Sequence, residues 1–214
     1  VDPEGASQRD SLYSNPLEHV PPFDFNEGVV RVFPDMIERS VPSYWYLTEM
    51  TGVLSRKHYS KGTNAYDLGC SLGSASFAMH HHLEGLAPNI IAVDKSEAMI
   101  NRLRSNTFVK AMHPALTLRH GDIMKCTLEN ASVVVLNFTL QFISPDERDA
   151  LIRNVYNGLN RGGALILSEK ILLDRESENQ TIHEIHQHFK RACGYTSKEL
   201  AAILSSKSFR RIQP

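Results

Sequence analysis

The sequence predicts an α/β fold: a mostly parallel sheet with helices on both faces, preceded by N-terminal helices. Three observations predict it. From Asn64 onward, short apolar runs alternate with helical segments, the order of repeated β-α-β units. The runs at 89–94 and 132–137 are apolar at successive positions, as in strands covered on both faces. Successive runs end in short Gly-, Asp- or Asn-bearing segments, and folds of this class bind ligands at the carboxyl ends of their strands.

Each element follows from local chemistry. Asn26 is placed to cap a first helix whose apolar stripe is Val29, Val30, Val32, Phe33, Met36 and Ile37. After Pro42, the residues Tyr44, Tyr46, Leu47, Met50 and Leu54 mark a second amphipathic helix. Its aromatics, Tyr44, Trp45 and Tyr46, read either as packing residues or as ligand contacts. Strands are predicted at 65–68, 89–94, 115–119, 132–137 and 164–168. A helix is predicted at 74–83, and another, capped by Ser96 with Glu97 in its first turn, runs to about 105. Ser144, Pro145 and Glu147 form a capping-box signature for a helix ending near Asn160. Gly162 and Gly163 then open the last strand, and a further helix at 183–192 stops near Gly194.

The totals suit one domain over 9–214, with 1–8 as a disordered tail. Lys and Arg number 23 against 24 Asp and Glu, a net charge of −1, which argues against a protein gripping nucleic acid over a broad face. Cys70, Cys126 and Cys193 form no C-x-x-C pair, so neither a disulfide framework nor a zinc site is expected. Reduced thiols in a cytoplasmic protein are. No apolar run approaches the ~20 residues of a membrane span, and no signal-peptide pattern opens the chain. His80, His81 and His82 point in different directions on a helix, and nothing completes a ligand set with His183 and His186, so no metal is expected.

Four strand ends carry candidate ligand residues. Gly69, Cys70 and Ser71 lie in a glycine-bearing loop after the first strand, where backbone can approach a ligand closely or simply turn. Asp94 ends the second strand, placed either to accept two ribose hydroxyls or to cap the helix beside Ser96. Asp122 and Ile123 follow the third strand, as an acceptor for an adenine amino group with an apolar ring contact, or as an ordinary loop. Asn137 ends the fourth, facing backbone or ligand, or serving as a turn residue. Together, at successive strand ends, the four imply an adenosyl-type ligand.

The motif 67–73, Asp-Leu-Gly-Cys-Ser-Leu-Gly, departs from G-x-G-x-x-G and from the methyltransferase G-x-G-x-G. It resembles the loop of the carboxy-S-adenosylmethionine synthase family, within the class I S-adenosylmethionine-dependent methyltransferases. So do residues 32–37, 39–44, 129–142, 162–165, 168–170, 188–192 and 194–195. The resemblance covers roughly 9–196. It implies a Rossmann-like class I methyltransferase fold and a transferase that converts S-adenosyl-L-methionine and prephenate to carboxy-S-adenosyl-L-methionine and phenylpyruvate. The product then serves the 5-oxyacetyl modification of the tRNA wobble uridine. The family's route has prephenate lose carbon dioxide, which a sulfonium ylide captures. The resemblance further implies a homodimer with no direct nucleic-acid or membrane partner. Family cofactor contacts fall on Tyr44, Gly69, Cys70, Ser71, Asp94, Lys95, Asp122, Ile123 and Asn137. A cation should face the new carboxylate, and Arg39, Lys170, Lys190 and Arg191 are candidates for it or, alternatively, surface charges.

After Tyr195 the resemblance ends. The family's basic segment with its carboxylate-holding arginine is replaced by 196–204, with no arginine until Arg210 and Arg211. The family's last helix and two strands have no counterpart, so the strand at 164–168 is expected at an apolar edge inviting self-association. Two other readings compete: a conventional methyltransferase of a small molecule or RNA, and a non-catalytic module that binds S-adenosylmethionine.

Overall fold

The computed structural model describes residues 8–13 and 24–205. Residues 1–7 of the tail expected at 1–8, and Arg210 and Arg211, lie outside the described residues. The packing divides into two compact units: Tyr46–Lys170, and Val1–Trp45 together with Ile171–Pro214.

In the central unit five strands pair in parallel in the order β3-β2-β1-β4-β5: β1 Asn64–Leu68, β2 Asn89–Asp94, β3 Leu116–His120, β4 Ala131–Asn137 and β5 Leu159–Ser168. All five expected strands are present, and every pairing is parallel. The sheet turns back at β1, so β1 and β4 flank the crevice at their carboxyl ends. β4 is buried at six successive positions, Ala131 to Leu136, which requires cover on both faces. Ala65, Ile90, Ala92, Val133 and Val135 share one core with Met79 and Leu83 of α3 (Ser74–His82 plus its cap) and Ile100 and Leu103 of α4 (Glu97–Ser105). Each buried Val, Leu, Ile or Met side chain of this core contributes about 1.5–3 kcal/mol.

In the flanking unit, α1 (Glu27–Ser40) is capped by Asn26, whose side chain accepts from Gly28 and Val29 N–H. It buries Val29, Val30, Val32 and Phe33 as expected, while Met36 and Ile37 are half-buried. The helix at 183–192 proves longer: α7 is Glu176–Ala192, and α8 follows at Ser197–Ser205.

Several boundaries differ from expectation. α2 (Tyr44–His58) does not bury its Tyr–Leu–Met stripe; the buried positions are Thr48, Thr51, Gly52 and Ser55, and Tyr46 is 67% exposed. The cause is close helix packing. A Cβ on Gly52 would stand 2.8 Å from the Ala78 carbonyl oxygen and 2.3 Å from His82 Cδ2, so small residues, not large apolar ones, make this contact. Gly52→Ala is expected to lower stability by about 1–2 kcal/mol, read as a shifted urea midpoint. An unshifted midpoint would mean the helices separate freely. α5 (Thr107–Ala111), capped by Asn106, was not foreseen. The capping box at α6 (Pro145–Gly158) does not form: Ser144 makes no side-chain cap bond, and the turn closes through Glu147 N–H to the Ser144 carbonyl. α6 ends at Gly158, where a Cβ would stand 2.4 Å from the Leu128 Cβ. β5 starts at Leu159, and Gly162 and Gly163 sit inside it, where the register with β4 shifts between Ala131 and Val133. Among the described residues β5 pairs on one side only, the edge position expected for it.

Candidate active site

The parallel order puts the carboxyl ends of β1, β2 and β4 side by side. After β1 the chain turns through three left-handed residues, Gly69 (φ +80°), Ser71 (φ +50°) and Gly73 (φ +81°). Gly69 and Cys70 N–H both donate to the Val93 carbonyl, at 2.8 and 3.0 Å, tying the loop to β2. Left-handed backbone costs a non-glycine residue about 1 kcal/mol or more. At Ser71 the cost is offset by a charge-assisted bond from its N–H to Asp94 Oδ2, 2.7 Å long.

Asp94 realises the helix-entry reading. Its Oδ1 accepts from Ser96 N–H at 2.8 Å, the helix-entry role, while Oδ2 holds the loop. Each carboxylate oxygen has a second lone pair, so the group can still accept a vicinal diol. Burial raises its pKa, and the bonds from Ser96 and Ser71 oppose the rise. On β1, within reach of its charge, Asp67 is 2% exposed and accepts from the Ser76 hydroxyl at 2.6 Å. Burial pushes the Asp67 carboxyl up to about 6 against the Ser76 bond, and the Asp94 charge adds to the rise. The same surroundings push the Cys70 thiol far up: burial first, then the charges of Asp67 and Asp94. Cys70 is thus no nucleophile at neutral pH, and it serves the loop through its backbone.

At the end of β4, Asn137 donates from Nδ2 to Thr51 Oγ1 at 3.1 Å, and its Oδ1 is buried with no hydrogen-bond partner. An orphaned buried acceptor at a strand's carboxyl end is what a ligand donor would satisfy. Phe138, at φ +54°, turns the chain back, and Thr139 packs onto the glycine loop: a Cβ on Gly69 would lie 2.5 Å from Thr139 Oγ1. The loop is therefore thin where backbone must approach a ligand. Asp122 caps the 3-10 turn Ile123–Lys125, accepting from Met124 N–H at 2.9 Å, and Ile123 is buried beside it. The loop-cap reading of Asp122 is realised through one oxygen. Lys95 is exposed, and its carbonyl accepts from the His120 ring at 3.0 Å.

A methyltransferase-domain model matches residues 65–163, the span holding these strand ends. The chain is 48% identical over 193 residues to the carboxy-S-adenosyl-L-methionine synthase of Trichlorobacter lovleyi, covering 90% of this chain and 79% of that one. It is 44% identical over 195 residues to the same-named protein of Vibrio parahaemolyticus, covering 91% and 80%. The chain belongs to the carboxy-S-adenosyl-L-methionine synthase family. In fold it is similar to the crystal structure of a candidate S-adenosyl-L-methionine-dependent methyltransferase from Methanococcus maripaludis. The TM-score is 0.57 at 15% identity, over 90% of this chain and 86% of that one. The architecture is the Rossmann-like class I methyltransferase fold.

Of the residues carried over from this synthase family, Gly69, Cys70, Ser71, Asp94, Lys95, Asp122, Ile123 and Asn137 all fall in the central unit at the carboxyl ends of β1 to β4. Lys170 follows β5 on the same edge. Tyr44, Arg39, Lys190 and Arg191 belong to the flanking unit. There Arg39 is 9% exposed, bonded to Asp35 Oδ2 at 3.0 Å and the Cys193 carbonyl at 2.7 Å, and stacked 3.9 Å over the Tyr195 ring. Lys190 is 7% exposed, its ammonium 5.7 Å from the same ring centroid, while Arg191 is exposed. Arg39 and Lys190 are thus buried network members rather than surface charges. Tyr44 is half-buried and meets Trp45 edge-on at 5.3 Å.

Sequence reasoning missed Asp67 as a buried acid, and Thr51, Thr139, Gln141 and Glu169 altogether. Only Glu169 left a signal, a carboxylate directly after an apolar strand on the binding edge. Burial pushes its carboxyl up to about 7, while backbone bonds from Leu140, Gln141 and Thr139 and the Arg148 charge oppose the rise. Among the described residues no three His, Cys, Asp or Glu side chains gather as a metal site.

Proposed function

We propose that this chain converts S-adenosyl-L-methionine and prephenate to carboxy-S-adenosyl-L-methionine and phenylpyruvate, for the 5-oxyacetyl modification of the tRNA wobble uridine. The observation that carries the proposal is the family membership together with the strand-end geometry. Asp94, with a spare lone pair on each oxygen, suits the ribose diol, and the Asn137 Oδ1 orphan suits a ligand donor. Asp122 and Ile123 are assigned to the adenine. In the reaction prephenate loses carbon dioxide and hydroxide as its ring becomes aromatic. Hydroxide takes a proton from the sulfonium methyl, and the resulting ylide carbon bonds to the carbon dioxide. Water and phenylpyruvate leave. This chain's part is to orient the sulfonium, exclude bulk water and set a cation against the new carboxylate. Lys170, on the same sheet edge as Asp94, is the candidate in the central unit, and Arg39, Lys190 and Arg191 are those of the flanking unit. We place the enzyme in the cytoplasm as a homodimer. Its three free cysteines fit a reducing compartment, and no helix among the described residues is long and apolar enough to cross a membrane.

Incubating the protein with S-adenosyl-L-methionine and prephenate tests the proposal. Mass spectrometry should find carboxy-S-adenosyl-L-methionine and phenylpyruvate in equal amounts. Conversion to S-adenosylhomocysteine with a methyl acceptor, or no conversion, would overturn it. Light scattering reads the dimer.

A further inference from the structure

We infer that Glu169 is a positioning residue of the ligand site, holding the turn after β4 so that Thr139 and Asn137 meet the glycine loop correctly. The inference rests on the proposed function, since it concerns the same site. Phe138 to Phe142 leave β4 in a left-handed step followed by a 3-10 turn, Leu140–Phe142. Such a turn has no ladder of its own to fix it, and two bonds from the end of β5 do so. Phe138 N–H donates to the Ser168 carbonyl at 2.7 Å, and Leu140 N–H makes a short bond to Glu169 Oε1. Within the turn, Gln141 Nε2 donates to the Phe138 carbonyl at 2.8 Å, and the Thr139 hydroxyl donates to the Asn137 carbonyl at 3.2 Å. Thr139 in turn presses on Gly69. A line of direct contacts therefore runs from Glu169 through the turn to both the loop and Asn137. The Arg148 charge acts on this carboxylate only from a distance. Among the described residues Glu169 makes no ion pair within 4.0 Å, and its Oε2 is buried with no hydrogen-bond partner. What it supplies is an acceptor at a set reach.

Reach and charge make opposite forecasts. Glu169→Gln keeps an acceptor oxygen at the same length, whereas Glu169→Asp keeps the charge and withdraws the oxygen by one methylene. Calorimetry with S-adenosyl-L-methionine should find Glu169→Gln within about threefold of the parent, and Glu169→Asp and Glu169→Ala weakened about tenfold or more, the value of one charge-assisted bond. In turnover the loss should appear mainly in KM for S-adenosyl-L-methionine, with KM restored in the glutamine variant and kcat little changed throughout. The reverse ranking, with Asp tolerated and Gln not, would overturn the inference in favour of a charge or proton-transfer role. Unchanged affinity in Glu169→Ala would overturn it too. If alanine prevents folding, the Gln–Asp pair still decides. A parent protein that binds no S-adenosyl-L-methionine would overturn the functional reading and this inference together, whereas a binding parent with indifferent variants defeats the inference alone.

Discussion

Asp94→Ala is expected to weaken S-adenosyl-L-methionine binding by about 30-fold, near 2 kcal/mol, the cost of losing charge-assisted hydrogen bonds to a bound diol. The substitution also removes the acceptor for Ser71 and Ser96 N–H, so the loop at 69–73 loses one of its ties to β2 and the helix α4 its entry bond. Part of the lost affinity will therefore be preorganisation rather than contact. Asp94→Asn separates the two, because its one oxygen can keep a single backbone bond while the charge is gone. Calorimetry on both variants checks this, and affinity unchanged in Asp94→Ala would remove Asp94 from the site.

The second expected result concerns stability. Asp67 titrates near 3.8 in the unfolded chain and at about 6 in the folded one. The folded state thus holds this proton more tightly. The stabilisation is complete below about pH 4 and is lost as pH rises through 6. Glu169, raised from 4.5 to about 7, acts in the same direction over a slightly higher window. The central unit should therefore unfold at lower urea at pH 8 than at pH 4.5, other groups being equal. Asp67→Asn keeps an acceptor for the Ser76 hydroxyl and abolishes the ionisation. At pH 8 it should exceed the parent by on the order of 2–3 kcal/mol, and the gap should close below pH 4. A gap independent of pH would show that Asp67 is not charged at the expense of the fold.

How much of this was legible depended on range. β2 and β4 could be read because burial on both faces writes itself as an unbroken apolar run. The cap at Asn26 and the strand-end positions of Asp94 and Asn137 could be read because caps and strand ends are local features. The buried face of α2 could not be, since small side chains against α3 leave no hydrophobic stripe, and the exposed aromatics of α2 imitate one. β5 was read short because its Gly162–Gly163 step looks like a loop when its pairing with β4 is not known. Glu169 and the turn at 138–142 lie almost thirty residues apart, and nothing in a single sequence joins a carboxylate to an amide at that distance.

The bond between Thr51 and Asn137 decides more than position. The Thr51 hydroxyl spends its hydrogen on the Leu47 carbonyl at 2.9 Å and so can only accept from the asparagine. The carboxamide must turn its nitrogen toward α2, which leaves its oxygen as the free end. A helix that precedes the sheet in the chain thereby sets the polarity of a group at the end of β4. Were Thr51 a valine of nearly the same shape, the amide could rotate by half a turn, and a visiting molecule would meet hydrogens where it now meets a lone pair.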